Sequence, residues 1–145
     1  MKKSSPEEMI TVEIDGAARG NPGPAAYGVV FRRQDGTVIE PLARAIGEAT
    51  NNVAEYRGLL AALEFAAKKK FCSLRVHSDS ELMVRQIQGS YKVRSAALKP
   101  YHERAKALIQ KLERFEIRHV PRERNREADR LANRALDGSP RQKGG

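Results

Sequence analysis

Four carboxylates along this 145-residue chain, Asp15, Glu55, Asp79 and Asp129, stand where an apolar pattern should bury them. An unpartnered charge in such a place is costly. Asp15 closes the alternating run Ile10, Val12, Ile14 against Thr11 and Glu13, a strand period. It is followed at once by a small-residue stretch holding Gly16, Ala18, Gly20, Asn21 and Gly23. Asp79 ends a second apolar run, Ser73 to Asp79, in the same way. On a helix with Glu55 set to zero and ~100° per residue, Leu59 falls near 40°, Ala66 near 20° and Ala62 near −20°, in line with the acid. Asp129 borders the stripe carrying Ala132 and Leu136. Each acid alone has an ordinary use: for Asp15 an Asp-Gly turn at a strand end, for Glu55 a first-turn helix charge, for Asp79 a helix cap, for Asp129 a solvated edge. A convergent set made only of oxygens suits a hard cation, so Mg²⁺ or Mn²⁺ is favoured over zinc. The single cysteine, Cys72, and three histidines without ligand spacing argue the same way.

The elements that must position these acids can be read from the same patterns. Ile10 to Asp15, Tyr27 to Arg33 and Val38 to Ala49 predict three antiparallel strands, with a hairpin signal at Asp35-Gly36. Thr50-Asn51-Asn52 is a cap cluster opening a helix over Val53 to Lys70, closed by Lys68-Lys69-Lys70. A strand to Asp79, a short helix from Ser80 to Gln88 and an irregular stretch to Lys99 follow. Pro100 opens a helix to about Arg114. Phe115 to Val120 is a strand and Asn125 to Asp137 the last helix. The order β-β-β-α-β-α-α-β-α predicts an α/β fold: a mixed five-stranded sheet flanked by about four helices, in a single domain. Both strand-end acids then lie at the carboxyl edge of that sheet, where open α/β folds gather ligands. The domain is expected over 9–137, with disordered ends at 1–8 and 138–145.

Bulk properties narrow the class. The net charge is +9, with −1 over residues 1–50 and +5 over each of 51–100 and 101–145, which points to a polyanionic partner. No apolar run approaches the ~20 residues of a membrane span. The start, MKKSSPEEM, lacks the apolar core of a secretory signal. One cysteine cannot form an internal disulfide, which fits a reducing compartment, so a cytoplasmic location is expected.

Four blocks then carry a resemblance: DGAARGNPGPAAYG, TNNVAEYRGLLAAL, VHSDSELMVRQI and VPRERNREADRLAN. Their order and intervals resemble type 1 ribonuclease H from about Met9 to Asp137, in its short form without a basic protrusion. The resemblance implies the ribonuclease H-like fold and a metal-dependent endoribonuclease that cuts the RNA strand of RNA–DNA hybrids, leaving 5′-phosphate and 3′-hydroxyl ends. Asp15, Glu55, Asp79 and Asp129 match the family's catalytic carboxylates. With substrate bound, two Mg²⁺ ions (or Mn²⁺ as substitute) are expected, Asp15 between them, Asp79 and Glu55 on one and Asp129 on the other. Glu55 is also placed to accept a bond from a ribose 2′-hydroxyl. Asn21 and Asn51 match positions that contact the nucleic acid, and Thr50 and Asn52 match the cluster holding a DNA phosphate. The backbone around Gly16, Ala18 and Gly20, in a small-residue loop, can approach the RNA minor groove, and Ser80 is a further substrate-binding candidate. A monomer is expected, with double-stranded RNA a further candidate substrate.

Three departures qualify this. Gly89 to Pro100 is too short for a basic protrusion, leaving Tyr91, Lys92, Arg94 and Lys99 as a modest substitute. The family's assisting histidine sits on a Gly-rich loop ten residues before the last acid. His119 has that interval but falls in a strand, so Arg122 is the alternative electrostatic partner. Glu81 stands where the family often has a glutamine on RNA. The rival reading is a non-catalytic hybrid- or double-stranded-RNA-binding module on the same fold, against which the intact acid quartet argues.

Overall fold

The computed structural model describes residues 8–138. Five strands form one mixed sheet: β1 (Ile10–Ala18), β2 (Gly23–Arg32), β3 (Leu42–Ala49), β4 (Ser73–Ser78) and β5 (Arg114–His119), in the order β3-β2-β1-β4-β5. The β1–β2 and β2–β3 pairs are antiparallel, and β1–β4 and β4–β5 parallel, as the patterning predicts. The helices are α1 (Asn51–Lys69), α2 (Glu81–Gln88), α3 (Lys99–Ile109) and α4 (Arg126–Asp137). No described helix is long and apolar enough to cross a membrane.

The core lies between the sheet and α1, whose buried stripe includes Tyr56, Leu59, Ala62, Leu63 and Ala66 against Ile10, Ile14, Phe31 and Val76. Thr50 Oγ1 caps α1 by accepting the Val53 N–H at 3.2 Å. Lys70 ends the helix in the left-handed region (φ 62), with the Phe71 N–H returning to the Ala66 carbonyl at 2.9 Å. Helix α4 packs on the other face. Gly16 meets α1 and Gly28, the pair partner of Asp15, meets α4; successive residues of a strand face opposite ways.

Several boundaries differ from those expected. Strand β1 does not stop at Asp15-Gly16 but stays paired with β2 as far as Ala18, and β2 starts at Gly23 rather than Tyr27. Gly16 bears no side chain for α1 to avoid, so the strand passes beneath the helix unbroken. Val38 makes only an isolated bridge to Arg32, and β3 begins at Leu42. Helix α3 ends at Ile109 instead of Arg114, because the Glu113 and Arg114 amides bond to the Cys72 carbonyl and start β5. A single 3-10 turn, Arg122–Asn125, precedes α4. Of the ends expected to be disordered, 1–7 and 139–145 lie outside the described residues; Glu8 is placed, its carboxylate 3.0 Å from Arg33.

Candidate active site

Parallel pairing of two strands brings the first two acids together. Ile14 and Ser78 are the last paired position of β1 and β4, and Asp15 and Asp79 are each the next residue. The helices supply the rest from opposite faces. At Gly16 a Cβ would lie 2.4 Å from the Glu55 nitrogen, so only glycine lets the first turns of α1 sit close enough to swing Glu55 over the strand end. At Gly28 a Cβ would lie 2.3 Å from the Ala128 carbonyl oxygen, so the position opposite Asp15 is bare to seat α4 and deliver Asp129.

Oxygens of Asp15, Glu55 and Asp79 all fall within 4.8 Å of one another. Asp129 stands outside that trio and outside the lining of the cavity over it, but near enough to raise the Asp15 and Asp79 carboxyls, while Asn133 Nδ2 donates to Asp129 Oδ1 at 3.2 Å. Asp15 and Glu55 are 2% and 7% exposed, and Asp15 Oδ2 and Glu55 Oε1 are buried without a hydrogen-bond partner. Burial, then the charge of Asp79 and the nearness of Asp129, push the Asp15 carboxyl up to about 8. Burial first, then the charges of Asp15 and Asp79, hold Glu55 well above the usual carboxylate range, although the Gly16 amide bonds to it. Asp79 is raised too, by burial, with Arg122 opposing. Buried acids crowded this closely, with two oxygens left unpartnered, are unfavourable unless a proton or a cation intervenes. An all-oxygen donor set with two unpartnered atoms fits a hard divalent cation.

A cavity of about 410 Å³ opens over the cluster, lined by Asp15, Glu55, Asp79, Ser80, His119 and Arg122 together with Gly16, Asn51 and Asn52. His119 ends β5 beside Ser78 and is exposed. Arg122 Nε lies 3.9 Å from Asp79 Oδ2. Thus both expected auxiliaries reach the rim, one from a strand end and one from the 3-10 turn. Asn51 and Asn21 are partly spent on architecture: the Ala18 N–H donates to Asn51 Oδ1 (3.0 Å) and the Asn51 N–H donates to Asn21 Oδ1 (2.9 Å). Ser80 Oγ caps α2 by accepting the Met83 N–H at 3.2 Å. Ala18, Gly20, Asn21 and Thr50 stand outside the cavity lining. Glu81 pairs with Arg85 on the surface of α2.

Sequence reasoning passed over one residue. Asn125 is fully buried and its Nδ2 donates to the Ile14 carbonyl at 2.7 Å, tying the start of α4 to the strand that carries Asp15. Its only signal was an asparagine ahead of a helix, which reads as a cap.

A mixed five-stranded sheet with carboxylates gathered at its parallel edge from both faces defines a ribonuclease H-like domain. The model of the family described as reverse transcriptase-like matches residues 13–135. The structure of RNase H1 from Halobacterium salinarum is similar with a TM-score of 0.87 and 42% identity, covering 90% of this chain and 99% of that one. The chain belongs to the type 1 ribonuclease H family. LC11-RNase H1, solved in complex with RNA/DNA hybrid, is 40% identical with a TM-score of 0.82, covering 90% of this chain and 97% of that one. A bifunctional protein of Mycobacterium tuberculosis is 47% identical over 131 residues, 90% of this chain. The chain spans 36% of that relative's length and 62% of the Halobacterium ribonuclease HI, to which it is 45% identical over 86% of its own length.

Proposed function

We propose that this chain is an endoribonuclease that hydrolyses the RNA strand of RNA–DNA hybrids, giving 5′-phosphate and 3′-hydroxyl ends. The observation that carries this reading is the convergence of Asp15, Glu55 and Asp79 with two buried, unpartnered carboxylate oxygens. The relative solved with RNA/DNA hybrid supports the substrate class. Mg²⁺ is the group that fits, Mn²⁺ its substitute; Asp15, Glu55 and Asp79 would hold it, with Asp129 completing the set. Two such ions, when substrate is bound, supply charge neutralisation at the scissile phosphate and a lower pKa for the attacking water.

The chain's own residues do the rest. The reaction adds water across one P–O3′ bond, and the departing 3′-oxygen takes a proton. His119, exposed at the rim, is placed to give or relay that proton, and Arg122 to hold a phosphate oxygen against the acid cluster. Gly16 presents bare backbone toward the minor groove, and Glu55 can accept from the 2′-hydroxyl that separates RNA from DNA. The Asn51 amide nitrogen, its oxygen being engaged by Ala18, is left to donate to substrate. Asn52 and Thr50, at the positive end of α1, suit a phosphate of the DNA strand. The working unit spans 9–137, acts as a monomer and works in the cytoplasm; double-stranded RNA is a secondary candidate.

The test is incubation with labelled hybrid, double-stranded RNA, double-stranded DNA and single-stranded RNA, in Mg²⁺, Mn²⁺ or chelator. Hybrid cleavage that disappears with chelator and in Asp79→Asn is expected. Hybrid binding without cutting in either metal would replace the enzyme by a binding module.

A further inference from the structure

Along the outer side of α4 runs a second cavity of about 660 Å³, larger than the one over the acids. Arg122 lines both, so the two cavities flank that side chain. Asp129 also lines the outer cavity, and Arg126, Arg130 and Arg134 line it at intervals of four residues. That interval stacks side chains along one helix face. It is the face opposite Ala128, Ala132 and Leu136, which are buried on the sheet.

Arg32, Arg75 and Arg104 each have a carboxylate partner, whereas Arg44, Arg57, Arg94 and Arg124 have none among the described residues; what sets this row apart is three guanidiniums at one-turn spacing along a single cavity. The side chains of Arg126, Arg130 and Arg134 have neither an ion-pair nor a hydrogen-bond partner among the described residues. Like charges one helical turn apart repel one another and weaken the helix that carries them. The acids nearby do not relieve them: Asp137 is taken by Arg19 at 2.8 Å and Asp129 belongs to the acid cluster, which leaves Glu123. From Arg126 to Arg134 the helix rises about 12 Å. Successive arginines thus stand about 6 Å apart, one for each of three phosphates along a strand.

We infer that Arg126, Arg130 and Arg134 form a phosphate track for the strand being cut, gripping three of its phosphates on the α4 side of the scissile phosphate. The identity of that strand rests on the nuclease reading above; the unpaired charge does not. A strand whose phosphate sits on the acid cluster leaves it past Arg122 and enters the outer cavity. The DNA strand is left to the opposite flank, at Thr50 and Asn52. Guanidinium forks grip phosphate oxygens without reading bases, so the track adds affinity and register rather than sequence preference.

Binding of a fluorescent hybrid in EDTA, followed across KCl concentrations, reads the row with no cleavage. Replacing all three arginines by glutamine should lower the slope of log K against log salt by about two to three. Replacing all three by lysine should restore most of it. In Mg²⁺ the glutamine variant should show KM raised severalfold with kcat changed by less than about twofold. Neutral methylphosphonate linkages in the RNA strand, placed beside a unique cleavage site on the side that α4 covers, should weaken the parent and leave the glutamine variant unmoved. Either an unchanged salt slope, in a glutamine variant that melts like the parent, or coupling to the DNA strand alone would overturn the track. A parent chain that binds with the full slope but never cuts would defeat the nuclease reading instead.

Discussion

The chemistry rests on acids that the folded chain keeps partly protonated. Asp15 is held near 8 against an ordinary value of 3.8, and Glu55 is shifted the same way. An acid raised by folding stabilises the native state below its unfolded value and loses that contribution as pH climbs through the folded one. In chelator, therefore, melting temperature should be highest near pH 4–5 and fall steadily towards pH 8, as scanning calorimetry across that range would show. Asp15→Asn should flatten the decline and raise stability at pH 8 while abolishing hybrid cleavage. A variant that melted lower than the parent at pH 8 would mean the cluster is not strained. Added Mg²⁺ should raise the parent's melting temperature at pH 8 by mass action and leave Asp15→Asn little changed. The acids were legible in sequence because each interrupts an apolar period. Asn125 was not, since its bond to Ile14 crosses 111 positions and nothing local marks it.

Among the elements, glycines decide how close the two helices come. Gly28→Ala would place a Cβ against the α4 backbone, where nothing flexible can yield, so a loss of about 2–3 kcal/mol is expected in urea unfolding. Activity should fall further than stability, because α4 carries Asp129. Lys70 offers the reverse case. It ends α1 at φ 62, a conformation that costs a side-chain-bearing residue about 1–2 kcal/mol. Lys70→Gly should gain about 1 kcal/mol after the loss of a cation at the helix end, read as a higher urea midpoint with an unchanged slope. The element order and sheet topology were legible because strand and helix periods are strong here. The true ends of β1 and β2 were not: Gly16, Gly20 and Gly23 read locally as a loop. Gly16 and Gly23 instead sit in paired strands, Gly16 beneath a helix that arrives from a point 35 or more residues later.

Over the whole molecule, positive charge gathers in the last two thirds of the sequence and the carboxylates gather at one edge. That division was visible in composition, but which cations face the edge was not, because it depends on where α4 is seated. The described fold closes at Glu8, bonded to Arg33, and at Gly138, whose N–H bonds to the Arg134 carbonyl at 3.0 Å. Glu8→Gln, which removes the charge that meets Arg33, should lower stability by no more than about 1 kcal/mol in urea unfolding. The clasp in which Asn21 holds Asn51, and Asn51 holds Ala18, ties the turn between the first two strands to the start of the long helix. Neither can be exchanged for a relative's version by itself. A graft of one without the other would break the joint, so evolution and engineering alike must change them as a set.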